Sequence, residues 1–108
     1  MGIVYAAEDA VLGREVALKV LAPGVFSSEA RGRFVREARA AARLTHPGIA
    51  AVFDASERYI AMRLVNGVPL SRSANRDRRE LVRYLRDAAL AVHAAHELGV
   101  VHRDLKPA

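Results

Sequence analysis

The sequence of 108 residues contains no cysteine, so it has neither a disulfide framework nor a thiolate metal site. It also lacks a run near the ~20 apolar residues that span a bilayer. Its longest apolar-looking segment, Ala88 to Val101, is broken by His93, His96 and Glu97. The first five residues lack the basic lead and apolar stretch of a secretory signal. The length allows one small domain with a modest core.

Lysine is scarce in a chain that is otherwise basic. Lys and Arg together number 17 against 12 Asp and Glu, a formal net charge of +5, yet only Lys19 and Lys106 are lysines. The arginines are dispersed between apolar positions at helical spacing, which favours solvated helix faces. Two alternatives stay open: a phosphate-binding stripe formed by Arg79, Arg83 and Arg86, and a basic nucleic-acid-binding domain.

Alternating apolar residues and turn residues predict four strands in two hairpins. The first pair is expected at Val4–Glu8 and Glu15–Val20, and the second at Ile49–Phe53 and Tyr59–Val65. Short strands joined by tight turns are typical of an antiparallel sheet. The sequence therefore predicts two antiparallel hairpins.

Apolar residues at helical spacing predict two helices, one between the hairpins and one after them. Ser27 or Ser28 is expected to cap the first, which should reach about Leu44. Asp77 is expected to cap the second, whose apolar stripe begins at Leu81, and Gly99 to end it. Residues 71–76 are polar and are expected to form a linker.

Lys19 stands at the end of the apolar strand Val16-Ala17-Leu18-Lys19. A buried ammonium group needs a partner to offset its loss of hydration. Glu37, at the edge of the apolar stripe of the first helix, is a candidate partner. A snorkelling Lys19 and a solvated Glu37 remain the alternative, because strand and helix spacing alone do not decide between them.

The segment His102-Arg103-Asp104-Leu105-Lys106-Pro107 matches the catalytic-loop signature of protein kinases at six consecutive positions. The chain therefore resembles bacterial members of the eukaryotic-like (Hanks-type) serine/threonine protein kinases. The resemblance implies that Asp104 orients the acceptor hydroxyl and that Lys106 offsets charge on the transferred phosphoryl group. It also implies an α+β fold: a kinase-like small lobe, with an antiparallel sheet and one helix, followed by the first long helix of the large lobe.

The resemblance also implies a site for ATP. Its expected residues are the last glycine of the phosphate loop, the apolar cover of adenine, the Lys–Glu anchor of the phosphates, and the gatekeeper with its hinge. In this sequence they fall on Gly2, Val4, Ala17, Lys19, Glu37, Met62, Arg63 and Val65. Arg63 is a departure, since many relatives carry an acidic residue there, but adenine is read by backbone groups.

By the same resemblance, residues 1–66 correspond to a partial small lobe, from the phosphate loop to the hinge. Residues 67–108 correspond to the start of the large lobe, up to the catalytic loop. Mg²⁺ is expected as a cofactor, but the family's metal ligands fall after Ala108, so no metal-binding residue is assigned. We therefore expect little phosphotransfer from this chain alone, marginal stability, and exposed apolar surface on the second helix.

The expected partners are ATP and a protein with a Ser or Thr acceptor, in the cytoplasm. No nucleic acid is expected, and any membrane anchor of the full-length protein would lie outside this chain. The alternative function is a non-catalytic, kinase-derived module that binds nucleotide or protein. A metal site at His93, His96 and Glu97 is a weaker alternative, because no further ligand is obvious in the sequence.

Overall fold

A computed structural model describes residues 3–24, 27–72, 77–102 and 105–106. Four strands form one antiparallel sheet: β1 (Ile3–Asp9), β2 (Arg14–Val20), β3 (Val52–Ala55) and β4 (Tyr59–Arg63). Their order across the sheet is β1-β2-β4-β3, so the second hairpin adds to the first through β4. The α+β class and both predicted hairpins are confirmed.

The hairpin turns are held by side chains as well as by backbone. The Asp9 carboxylate accepts hydrogen bonds from the backbone N–H groups of Val11 and Leu12, at 3.0 and 3.1 Å. Gly13 follows with a φ of 64°, a conformation that glycine adopts without a Cβ clash. The Ser56 hydroxyl accepts from two backbone N–H groups in the second turn. These local bonds fix the strand register.

The second hairpin differs from its prediction in where its strands begin and end. β3 begins at Val52 rather than Ile49, and β4 ends at Arg63 rather than Val65. The residues before β3 are held in a turn instead: His46 Nδ1 accepts from the Gly48 N–H at 2.9 Å, and the His46 carbonyl accepts from the Ile49 N–H at 3.1 Å. Because the turn satisfies these groups, the strand starts later.

Helix α1 (Ser28–Ala41) begins where Ser27 caps it, with the serine hydroxyl accepting from the Ala30 N–H at 3.2 Å. It ends at Ala41 rather than near Leu44, since a turn over 42–43 follows. The helix packs against β3 and buries Ala38. The predicted cap is therefore confirmed, and the predicted end is about one turn too late.

Helix α2 (Arg78–Glu97) is capped by Asp77, whose carboxylate accepts from the Glu80 N–H at 2.8 Å. Gly99, with a φ of 76°, follows its end, as predicted. A turn of 3-10 helix covers Leu70–Arg72 and overlaps the start of the linker expected over residues 71–76. The sequence patterns did not predict this turn. As expected, α2 carries exposed apolar side chains: Leu81, Val82, Leu85, Leu90.

The core is small and made of small or aliphatic side chains. Its buried members are Val16, Ala17, Leu21, Ala38, Leu44 and Ala91. Ala91 belongs to α2, so this helix contributes one buried position and leaves most of its apolar stripe in solvent. Within the described ranges, no helix is both long and apolar enough to cross a membrane.

Candidate functional site

Four of the predicted ATP-site residues share one face of the sheet. Lys19 is paired across the strands with Val4 on one side and Ile60 on the other. Ala17 is likewise paired with Met62. Directly paired residues of antiparallel strands point to the same face, and so do alternate residues of one strand. The sheet register therefore gathers Val4, Ala17, Lys19 and Met62 into two adjacent rows.

These rows combine an apolar surface with one cation. Ala17 is buried, and Met62 and Lys19 are half-buried. Val4 is 59% exposed and lies on β1, at the edge of the sheet. A flat apolar ligand could rest on this face with an anionic group near Lys19, because a partly dehydrated ammonium favours an anion nearby.

The structure does not join Lys19 to Glu37. Among the described residues, ion pairs within 4.0 Å link Arg14 to Asp9, Arg86 to Asp87 and His93 to Glu97, but not Lys19 to Glu37. The sheet order explains the separation. Helix α1, which carries Glu37, packs on β3, and β4 lies between β3 and the strand of Lys19.

Glu37 instead lines a cavity of about 290 Å³ between α1, β4 and the segment after α2. Ile60, the cross-strand neighbour of Lys19, lines the same cavity, and so does His102. The cavity therefore connects α1 to the first residue of the segment that matches the kinase catalytic loop.

The chain leaves the sheet after Arg63, whose backbone N–H donates to the Ala51 carbonyl at 2.8 Å. Val65 lies two residues further on and is 64% exposed. Its backbone groups make no hydrogen bond to the described residues. They are therefore available to the edge of a planar ligand that rests on Met62 and Ala17.

Two predicted site residues, Gly2 and Asp104, lie outside the described residues. Lys106 is described and exposed. It lines an open cavity of about 830 Å³. The other lining residues include Leu105, Leu70 and several residues of α2, among them His96. The side chain of Lys106 thus lies near the C-terminal half of α2.

A contact between Gly48 and Ala91 joins the turn before β3 to α2, and the sequence patterns did not predict it. A Cβ added at Gly48 would lie 3.0 Å from the Ala91 Cβ and 3.2 Å from His46 Nδ1. The φ of Gly48 is outside the left-handed region, so glycine is needed here for space. This close approach seats the helix that leads to His102.

The described residues offer no metal centre. They contain no group of three or more His, Asp or Glu side chains that could hold an ion. His93 Nε2 lies 3.1 Å from the Glu97 carboxylate, as an exposed pair one turn apart. This pair uses two of the three residues of the alternative metal site, His93 and Glu97.

A family model described as "Protein kinase domain" matches residues 1–108, the whole chain. The chain belongs to the protein kinase domain family. The sheet, the helix packed on it and the long helix before the catalytic-loop segment are the parts that the resemblance implied for the start of a kinase domain. The predicted family and fold are therefore both confirmed.

The kinase domain is similar to named bacterial serine/threonine-protein kinases. It is 44% identical to the DNA damage-responsive kinase RqkA of Deinococcus radiodurans over 96% of this chain and 17% of that protein. It is 43% identical to PknA of Mycobacterium tuberculosis over 99% of this chain and 28% of PknA. It is 39% identical to PksC of Streptomyces coelicolor over 99% of this chain and 22% of PksC.

The kinase domain sequence therefore spans between 17% and 28% of the lengths of these three relatives. All three are serine/threonine kinases by name, which agrees with the lysine two residues after Asp104. Protein kinases as a family use ATP and Mg²⁺ and act on proteins.

Proposed function

We propose that this chain is the nucleotide-binding part of a serine/threonine protein kinase, which transfers the γ-phosphoryl group of ATP to a protein hydroxyl. The observation that carries the proposal is the shared sheet face of Val4, Ala17, Lys19 and Met62. The catalytic-loop match and the named relatives support it.

The described residues fit ATP. Val4, Ala17 and Met62 supply an apolar surface for adenine, and the backbone after Met62 supplies groups for the adenine edge. The edge contacts fall to the backbone of Arg63 and Val65. Lys19 supplies the cation for phosphate. Gly2, at the phosphate loop, completes this set by family resemblance.

Glu37 would orient Lys19 once α1 moves toward β2, since a Lys–Glu pair fixes the ammonium group at the phosphates. In the structure this pair is open, with Glu37 turned to the cavity shared with His102. The open arrangement corresponds to a domain that can bind nucleotide before its anchor is complete.

Asp104 and Lys106 take their roles from the family resemblance. Asp104 would accept the proton of the Ser or Thr hydroxyl, and Lys106 would stabilise charge on the transferred group. The described residues hold no ligand set that fits Mg²⁺, so we derive no step through the metal.

We infer that residues 1–66 form the partial small lobe and residues 67–108 the start of the large lobe. The partners are ATP and a protein with a Ser or Thr acceptor, with no role for nucleic acid. Because ATP is supplied there, we assign the domain to the cytoplasm, whether or not the intact protein carries an anchor elsewhere.

The test is Lys19→Met. Removing one charge-assisted phosphate contact, which is worth about 1.5–3 kcal/mol, should weaken binding of a fluorescent ATP analogue to this chain at least tenfold. Phosphate transfer by the intact protein should also be abolished. Arg33→Met, which removes an exposed cation from α1, is the control and should change neither.

Undiminished transfer by the Lys19→Met protein would overturn the assignment of Lys19. Nucleotide binding that depends on Lys19, without transfer by the intact protein, would instead identify the chain as a non-catalytic nucleotide-binding module. Replacing Asp104 with Asn separates the two steps, because a kinase should then keep ATP binding and lose transfer.

A further inference from the structure

Four arginines of α2 surround one exposed apolar side chain. Relative to Val82, Arg78 and Arg79 lie one turn before, Arg86 lies one turn after, and Arg83 is adjacent. Residues three or four apart are neighbours on a helix surface. Val82 is 59% exposed, and together with Arg78, Arg79 and Arg83 it lines a shallow depression of about 540 Å³. We call Arg78, Arg79, Arg83 and Arg86 the arginine cluster.

Three members of the arginine cluster make no ion pair or hydrogen bond to any described part of the chain; they are Arg78, Arg79 and Arg83. Arg86 is the exception, since it donates to the Asp87 carboxylate at 2.9 Å. Arg79 and Arg83 are like charges four residues apart, an arrangement that opposes helix formation. The repulsion between Arg79 and Arg83 therefore does not stabilise the helix.

The nearby carboxylates offset part of the charge of the arginine cluster, but they do not line the depression beside Val82. Asp77 accepts from the Glu80 backbone N–H, and the Glu80 carboxylate accepts from the Tyr84 hydroxyl at 3.0 Å. Asp87 is held by Arg86, and Glu97 lies beside His93 at the other end of the helix. Hydrogen bonds from neutral groups do not cancel the charges of these carboxylates, so residues 77–87 carry a net charge of +1. The depression itself is lined by Val82, Arg78, Arg79 and Arg83, and no carboxylate of the described residues lines it.

We propose that the arginine cluster docks an acidic segment of a partner protein. The guanidinium groups would bind carboxylates on either side of an apolar side chain that rests on Val82. Planar guanidinium groups bind carboxylates through two hydrogen bonds, which gives the contact its geometry. Docking at this surface requires no nucleotide and goes beyond the proposed phosphotransfer.

The apolar centre favours a protein over the other polyanions. An apolar centre with a charged rim is the arrangement of protein–protein interfaces, whereas phosphates of DNA or RNA have no apolar group for Val82 to contact. A single valine is also small for insertion into a lipid surface, where helices present large apolar side chains such as Trp, Phe or Leu.

The probe is a short fluorescent peptide in which Glu and Leu alternate, and fluorescence anisotropy measures its binding to the whole chain. The variant Arg79→Gln/Arg83→Gln should weaken binding about five- to tenfold, since two exposed charge contacts are lost. The matched control is Arg33→Gln/Arg43→Gln, which removes the same charge from exposed positions of α1 and the turn after it and should change binding less than twofold.

Two further comparisons test the chemistry of the site. Val82→Ser leaves the net charge unchanged and should still weaken the peptide about threefold. A peptide with Gln in place of Glu should not bind. Equal losses of peptide binding in Arg79→Gln/Arg83→Gln and in the control Arg33→Gln/Arg43→Gln would overturn the proposal, because binding would then reflect net charge alone. Tighter binding of a DNA duplex or of phosphatidylserine vesicles through Arg79 and Arg83 would also overturn it.

Discussion

At the scale of the single residue, Tyr59 and Asp54 form a bond that couples the second hairpin to pH. The Tyr59 hydroxyl donates to the Asp54 carboxylate at 2.9 Å. That hydrogen bond, with the negative charge of Asp54 and a smaller contribution from burial, raises the pKa of Tyr59 above its ordinary value of 10.0. The folded state therefore holds the phenol proton more tightly than the unfolded state does.

We expect this bond to stabilise the fold fully below pH 10 and progressively less above it. As pH rises past the pKa of Tyr59 in the unfolded state, the unfolded state loses the phenol proton first. The free energy of unfolding therefore falls as pH rises from that value to the higher pKa of the folded state. Urea denaturation between about pH 9 and pH 11 measures this slope. Tyr59→Phe should flatten it slightly, because the group is well solvated.

The control for Tyr59 is Tyr5→Phe. Tyr5 is 49% exposed on β1, and its hydroxyl makes no hydrogen bond within the described part of the chain. The Tyr5→Phe protein should keep the slope of the unmodified chain. If Tyr5→Phe flattens the slope as much as Tyr59→Phe, the Asp54 bond does not set the pH dependence.

The residues of the candidate ATP site follow from the sequence to different extents. Strand alternation puts Ala17 and Lys19 on one face of β2, and the first hairpin adds Val4 to that face. Met62 could not be placed there from the sequence, because its position depends on the pairing of β2 with β4. The separation of Lys19 from Glu37 could not be predicted either, since it depends on which strand α1 packs against. Periodicity predicts that a helix packs on a sheet but does not give its position across the strands.

At the scale of the element, the contact of Gly48 with Ala91 joins the turn before β3 to α2. Gly48→Ala should lower the free energy of unfolding by about 1–3 kcal/mol, because its Cβ would lie 3.0 Å from the Cβ of the buried Ala91 and would push the turn and α2 apart. Urea denaturation measures the loss. Gly67→Ala is the control, since its nearest neighbour would be Val65 Cγ1 at 3.9 Å.

Coupling between the two positions provides the stricter test. Ala91→Gly alone should destabilise α2 by about 1 kcal/mol, through the low helix propensity of glycine. Combined with Gly48→Ala, it should restore part of the lost stability, because it removes the overlapping Cβ. Strictly additive losses would show that the two side chains do not meet.

Element ends could be predicted where a side chain makes the cap. Ser27, Asp77 and Gly99 each mark a helix end by a local mechanism that the sequence reveals. The start of β3 could not be predicted in this way. The hydrogen bond from the Gly48 N–H to His46 Nδ1 holds the chain in a turn, and apolar alternation from Ile49 gives no sign of it.

At the scale of the whole molecule, the chain buries little apolar surface and leaves an apolar groove open along α2. Leu85, 61% exposed, lines this groove of about 830 Å³ with Val92, Leu70 and Leu105. Exposed apolar side chains that line a groove can bind apolar molecules. The chain as a whole should therefore bind apolar dyes while folded.

We expect the fluorescence of the dye ANS to rise when the folded chain is added. The Leu85→Gln variant should lower this fluorescence by about half. Its stability should change little, because an exposed side chain contributes little to the core. Leu12→Gln is the matched control. Leu12 is 63% exposed but stands at the tip of the first hairpin, away from the groove. Similar losses in both variants would show that the dye reports scattered apolar residues. A loss confined to Leu85→Gln would locate the open apolar surface on the helix that leads to the catalytic-loop segment.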